Sequence, residues 1–275
     1  MSDLGNLSIS SLFNVKGKVG IGKSIASALA LNGVKVYIAA RKEAVLKETA
    51  NELNSKGADV HYIVANLADK AGCDGLVAEF KKKESKLHIL VNNSGITWGA
   101  PYTDFPEAKG WDNVMAVNVK SIFYVTSGLT ELLAKDSTAY DPAHVINISS
   151  TASVSGSAEG GLSAEGNGTW SYGISKAATN HLTTTLSVHL VKRNIMVNAI
   201  LPGVFPSRMT AYGLKTQGDK LTQRQPTGRV GIPQDLAGIS LFLSSPASAH
   251  VTGALILLDG GASLANHAIS PATKL

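Results

Sequence analysis

A single cysteine, Cys73, stands in a chain of 275 residues. Neither an intramolecular disulfide nor a cysteine-clustered metal site can form, and a reducing compartment is expected. Charge is scarce too: 16% of residues are charged, and the formal balance of +5 comes from 25 basic and 20 acidic side chains spread along the chain. Without a dense basic stripe, nucleic acid is not an expected partner; an anionic small molecule fits at least as well. No apolar run reaches the roughly 18 residues of a membrane span, and residues 1–17 hold no apolar core long enough for a secretion signal. A soluble, cytoplasmic protein is therefore expected, with no membrane or metal partner. The ending Thr273-Lys274-Leu275 is a weak relative of the peroxisomal Ser-Lys-Leu address, which supplies a peroxisomal alternative.

What is present is apolar and glycine-rich: 44% hydrophobic residues and 27 glycines, enough for one sizeable core. Runs rich in Val, Ile and Leu at 34–40, 60–65, 87–91, 144–148, 195–201 and 254–258 mostly lack period-2 alternation, as strands buried on both faces do. Helical spacing fills 23–31, 43–55, 71–84, 120–133, 175–191 and 235–244. Strand–helix repetition with right-handed crossovers predicts an α/β fold with a doubly wound parallel sheet of Rossmann type. The expected division is an N-terminal extension at 1–16, a single dinucleotide-binding and catalytic domain at 17–265 and a tail at 266–275.

One element is absent from this pattern. Such a fold should open with an apolar strand, yet Asn14-Val15-Lys16-Gly17-Lys18-Val19 carries two lysines that a central strand cannot bury cheaply. The first strand and the front of its turn are expected to be missing, with only Gly20-Ile21-Gly22 left at the helix entrance.

Tyr172 and Lys176 are four apart, so on a helix they share a face. A phenol normally titrates near ~10; a neighbouring ammonium stabilises the phenolate and makes proton exchange near neutrality easier. The spacing alone is weak, since seven tyrosines in a chain with 25 basic residues among 275 give roughly 0.6 such pairs by chance, and Tyr37 with Arg41 is one. Context strengthens it. The run 144–148 leads into Ser149-Ser150 and the run 87–91 into Asn92-Asn93-Ser94-Gly95, both at the carboxyl edge where doubly wound sheets place ligands. A serine hydroxyl there can donate to a carbonyl oxygen as charge develops.

From about Gly17 to Gly261 these features resemble the short-chain dehydrogenase/reductases, and within them the 3-oxoacyl-(acyl-carrier-protein) reductases and their rhamnolipid-type branch. Asn92-Asn93-Ser94-Gly95 is similar to the family's Asn-Asn-Ala-Gly turn, Asn118 to its helix asparagine, Pro202-Gly203 to the motif after the sixth strand, and Asp259-Gly260-Gly261 to the terminal motif. The resemblance implies hydride transfer between NAD(P)H and a carbonyl or alcohol, with Tyr172 delivering the proton. Lys176 would lower the Tyr172 pKa and bind the nicotinamide ribose, Ser150 would polarise the carbonyl, and Asn118 would hold a water leading to Lys176. It further implies cofactor contacts from Gly20, Ile21, Gly22, Asn66, Leu67, Asn93, Gly95, Pro202 and Gly203, and a homo-oligomer, dimer or tetramer.

Cofactor choice is read after the second strand. An NAD enzyme places a carboxylate there; here Ala39-Ala40 is followed by Arg41 and Lys42, which suit the 2′-phosphate of NADPH. Ser150 and Tyr172 are 22 apart, and the excess over the family's interval falls in a glycine- and serine-rich insertion at 156–168, expected to be a flexible loop at the cleft rim. The segment 204–231 is the expected substrate lid. It mixes Phe205, Met209, Tyr212 and Leu214 with Arg208, Lys215, Lys220, Arg224 and Arg229, fitting an acyl or ring substrate that an acyl carrier or CoA could present. The rival reading, motivated by the missing turn, is a truncated relative that serves only as a binding or oligomer partner.

Overall fold

The computed structural model describes residues 7–21, 25–160, 163–207 and 209–265. Seven strands form one all-parallel sheet: β1 (Val19–Ile21), β2 (Lys35–Ala40), β3 (Asp59–Val64), β4 (Ile89–Asn92), β5 (Ala143–Ile148), β6 (Ile195–Pro202) and β7 (Leu255–Leu258), in the order β3-β2-β1-β4-β5-β6-β7. The order reverses beside β1, so the crevice outside the carboxyl ends of β1 and β4 is where this topology receives a ligand.

The helices are α1 (Ile9–Leu12), α2 (Ala26–Leu31), α3 (Glu43–Asn54), α4 (Lys70–Lys81), α5 (Asn113–Met115), α6 (Ser121–Ala134), α7 (Trp170–Leu190), α8 (Ala211–Gln223), α9 (Pro233–Leu243) and α10 (Ala262–Ala265). Successive strand residues face opposite layers. Val145 and Val197 join Phe80, Leu129 and Leu190 from α4, α6 and α7, whereas Ile146 and Ile200 join Leu29, Leu46 and Leu243 from α2, α3 and α9. Both faces being covered explains why the strand sequences are continuously apolar rather than alternating.

The expectation of a missing first strand is corrected. Val19, Gly20 and Ile21 themselves form β1, registered on Val36 and Tyr37 of β2 and on Ile89 and Leu90 of β4. Three residues suffice because the lysines stay outside the paired stretch: Lys18, 7% exposed, carries its ammonium to Asp141 at 2.8 Å. Val15, just before this domain, is buried in the second core.

Candidate active site

Tyr172 and Lys176 lie in the first two turns of α7, a helix that starts five residues earlier than its apolar spacing indicates. Lys176 is 4% exposed, and its Nζ donates to the Ile148 carbonyl at the end of β5 at 2.8 Å. The ammonium is 5.7 Å from the centre of the Tyr172 ring. Burial pushes the Lys176 pKa down to about 8. Burial also raises the Tyr172 pKa above its ordinary value, opposed by a hydrogen bond with Ser150. The net direction is upward. With Lys176 turned to Ile148 the phenol stays protonated at neutral pH, the form a proton donor requires.

The two serines after β5 separate cleanly. Ser149 is buried and its Oγ donates to the Lys176 carbonyl at 3.1 Å, bracing the helix. Ser150 is half-buried, accepts from Ala152 N at 3.2 Å and opposes the rise in the Tyr172 pKa. The alternation beyond Ile148 thus brings Ser150, and not Ser149, to the phenol.

Asn118 sits in a wide π turn, Ala116–Lys120, of the helical segment leading into α6. It is fully buried, and its amide clamps Ile96 from both sides: Oδ1 accepts from Ile96 N at 2.9 Å and Nδ2 donates to Ile96 O at 2.9 Å, while Nδ2 also reaches Ser175 Oγ at 2.9 Å. The clamp fixes the turn after β4. Within it, a Cβ on Gly95 would lie 3.4 Å from Lys176 Nζ and 3.6 Å from Asn118 Oδ1, so glycine keeps the way to the lysine open.

From this turn a groove of ≈ 170 Å³ runs over the carboxyl edge of the sheet, lined by Arg41, Asn66, Leu67, Ser94, Gly95 and Val117 among others. Residues from three separate βα turns therefore converge, as the sequence motifs require. Arg41 is exposed and has no ion-pair partner among the described residues. An exposed guanidinium lining this groove suits the phosphorylated ribose of a dinucleotide. Lys42 is exposed at the start of α3 beside it.

The family profile described as enoyl-(acyl carrier protein) reductase matches residues 15–263. The chain belongs to the short-chain dehydrogenase/reductase family. It is similar to the rhamnolipids biosynthesis 3-oxoacyl-[acyl-carrier-protein] reductase of Pseudomonas aeruginosa, 38% identical, with 89% of this chain and 93% of that protein covered. It is also similar to the 5-keto-D-gluconate 5-reductase of Escherichia coli, 32% identical over 95% of this chain and 98% of that one. Among solved structures, the Pseudomonas aeruginosa RhlG/NADP active-site complex superposes with a TM-score of 0.81 at 36% identity, covering 92% of this chain and 98% of that one. This family is one of NAD(P)-dependent oxidoreductases acting on alcohol and carbonyl groups.

The structure disperses some of the residues singled out in the sequence of this family member. Gly20 and Ile21 belong to β1 and not to a phosphate-binding turn; Gly22 and Arg208 lie outside the described residues. Pro202 ends β6, its carbonyl 3.4 Å from Thr151 Oγ1, and Gly203 packs on Asp259, where a Cβ would come within 2.7 Å of Asp259 Cβ. Asn93 lies at the end of β4, beside a smaller cavity shared with Ser94. The lid holds α8, bent at Gln217, and Arg229 is held by Asp235 through contacts of 2.6 and 2.9 Å, which removes it from a set of free basic groups. The insertion is stapled at its base: Gly168 bridges Ala100 and Glu159, and Thr169 N donates to Ala158 O at 2.9 Å.

Sequence reading passed over a buried polar chain that ties the cleft strands to the helices. Asn92 Nδ2 donates to Asn147 Oδ1 at 2.8 Å and to Thr126 Oγ1 at 3.1 Å, and Asn147 Nδ2 donates to Thr183 Oγ1 at 2.9 Å. The available signal was two asparagines inside apolar strands, an expensive placement unless each is satisfied.

Proposed function

We propose that the chain reduces the carbonyl of a small molecule, a 3-oxoacyl thioester or related ketone, to a secondary alcohol with NADPH. The observation that carries this reading is the placement of Tyr172 and buried Lys176 together in the first two turns of α7, beside Gly95 of the groove that Arg41 also lines. The bound nicotinamide supplies a hydride to the carbonyl carbon. Tyr172, kept as a phenol by burial, gives its proton to the carbonyl oxygen, and Ser150 donates a hydrogen bond to the same oxygen as negative charge builds there. Lys176, released from Ile148 O, holds a ribose hydroxyl and faces the phenolate left behind. Asn118 positions the Gly95–Ile96 turn against the lysine. Arg41 takes the 2′-phosphate, with Asn66 and Leu67 along the adenosine half.

Exposed Phe123, Ile174 and Val188 on α6 and α7 support self-association as a homo-oligomer. The 3-oxoacyl choice draws on the similarity to the Pseudomonas aeruginosa reductase, and the ketose-acid reductases among the relatives support the wider class of ketones. The absence from the sequence of the front of the glycine-rich phosphate loop favours the second reading, a truncated relative that acts only as a binding or oligomer partner. Fluorescence titration separates them: saturable NADPH binding is expected, and none up to millimolar concentration would support the second. For the chemistry, Tyr172→Phe should lower kcat for ethyl acetoacetate reduction by at least about a thousandfold while NADPH affinity stays within roughly twofold. Substantial residual reduction would remove Tyr172 from the proton-delivery role.

A further inference from the structure

We propose that Asn180 and Ser153 are positioning residues that hold Ser150 against Tyr172. The inference rests on the assignment of Ser150 and Tyr172 to proton delivery, and it concerns how their geometry is kept. Ser150 lies beyond the last paired residue of β5, at the start of the tight turn Thr151–Ser153, where no sheet hydrogen bond fixes its side-chain direction. Ser153 Oγ donates to the Ser150 carbonyl at 2.5 Å. A carbonyl can only accept, so this bond uses the one proton Ser153 has, and its oxygen must accept the next bond. That bond comes from Asn180 Nδ2, at 2.8 Å.

Asn180 is four residues after Lys176 on α7, on the same helical face, and is 8% exposed. One rigid helix of 21 residues therefore carries the phenol, the ammonium and, through Asn180 and Ser153, the backbone of the serine. Two further contacts fit the same purpose. Gly173 lets the helix approach the turn, since a Cβ there would stand 2.9 Å from the Ala152 carbonyl. Ser149 braces the other side through the Lys176 carbonyl at 3.1 Å.

Stability does not explain Asn180. Its Oδ1 is buried with no hydrogen-bond partner among the described residues, an unfavourable placement that an apolar side chain would avoid. What the asparagine provides and a leucine cannot is the donor to Ser153.

The test measures NADPH-dependent reduction of ethyl acetoacetate by the full chain carrying Ser153→Ala, Ser153→Thr, Asn180→Leu, Ser150→Ala and the double change Ser150→Ala/Ser153→Ala. Loss of the tether should lower kcat roughly tenfold to a hundredfold in Ser153→Ala and Asn180→Leu, with KM for NADPH within about twofold. Ser153→Thr, which keeps the hydroxyl, should restore most of the rate. On the Ser150→Ala background, Ser153→Ala should add almost nothing, because a residue acting through Ser150 has nothing left to position. Wild-type kcat in Ser153→Ala and Asn180→Leu, or a full additional loss in the double variant, overturns the inference while a large loss in Ser150→Ala keeps the Ser150 assignment standing. Wild-type turnover in Ser150→Ala, or none in the unaltered chain, overturns the assignment and the inference with it. If Asn180→Leu fails to fold, Ser153→Ala, which deletes one oxygen, decides alone.

Discussion

Single side chains divide the labour at the cleft, and neighbours of the same type do different work. Ser149 and Ser150 are adjacent, yet Ser149 donates to a helix carbonyl, whereas Ser150 accepts from Ala152 N and opposes the rise in the Tyr172 pKa. Ser149→Ala should therefore cost about 1 kcal/mol of stability and leave kcat within a fewfold, whereas Ser150→Ala should lower kcat by about a hundredfold at unchanged melting temperature. Thermal unfolding and steady-state kinetics on the two variants check the division, and the reverse pattern would reassign the site to Ser149. Arg41 makes its own case. As a cation lining the groove with no ion-pair partner among the described residues, it is free to meet a 2′-phosphate. Arg41→Asp should shift the ratio of kcat/KM for NADPH over NADH by about a hundredfold toward NADH, the effect of exchanging attraction for repulsion at a charge-assisted bidentate contact. An unchanged ratio would take the cofactor choice away from this residue.

Elements were legible from sequence where one period governed a whole stretch. The strands at 34–40, 144–148 and 195–201 agree with β2, β5 and β6 to within one or two residues, because burial on both faces leaves an unbroken apolar run. Legibility failed where a short element broke that rule. β1 escaped notice because its flanking lysines counted against it, although only Val19, Gly20 and Ile21 enter the sheet. α8 escaped because Gly213, Gly218, Lys215 and Lys220 interrupt its apolar spacing, and it is in fact bent at Gln217. Of the site, the motif residues on strand ends and helix faces could be named in advance; the clamp of Asn118 on Ile96 and the Asn180–Ser153 bond could not, since they join residues 22 and 27 positions apart. One element-level contact has a functional reach of its own. At the start of α4, Gly72 lies so close to Asn66 that an added Cβ would overlap the Asn66 carbonyl. Gly72→Ala must displace backbone and not a pliable side chain, so it should destabilise the protein by about 2 kcal/mol. Because Asn66 lines the cofactor groove, NADPH affinity should fall with it; full affinity in a destabilised variant would disconnect the two.

At the scale of the whole molecule, the carboxyl edge of the sheet is built for chemistry and the opposite edge holds a different set of ionisable groups. His88 is half-buried, its Nδ1 accepting the Val19 N–H of β1 at 3.1 Å, and burial pushes its pKa down to about 4. His144, at 0% exposure in β5, has neither ring nitrogen partnered among the described residues, and burial lowers it to about 3. Lys18 and Asp141 face both rings. Each imidazole is neutral in the folded chain and takes up a proton near 6.5 once unfolded. Because the folded values are depressed, their stabilisation is complete above pH 6.5 and declines as pH falls toward 4 and then 3. For His144 the decline is about 1.4 kcal/mol per pH unit, so by pH 4 this one residue removes roughly 3 kcal/mol from a domain that has on the order of 5–15. The melting temperature should drop steeply below pH 6, and His144→Leu should flatten that drop. The same change removes two unpartnered buried nitrogens, so it should also raise stability at pH 7 by about 1–3 kcal/mol. Calorimetric melting of both proteins from pH 7 to pH 4 measures the two effects together. Parallel curves for wild type and His144→Leu would show that His144 does not set the acid limit of the fold, and would pass that role to His88 and the short central strand it holds.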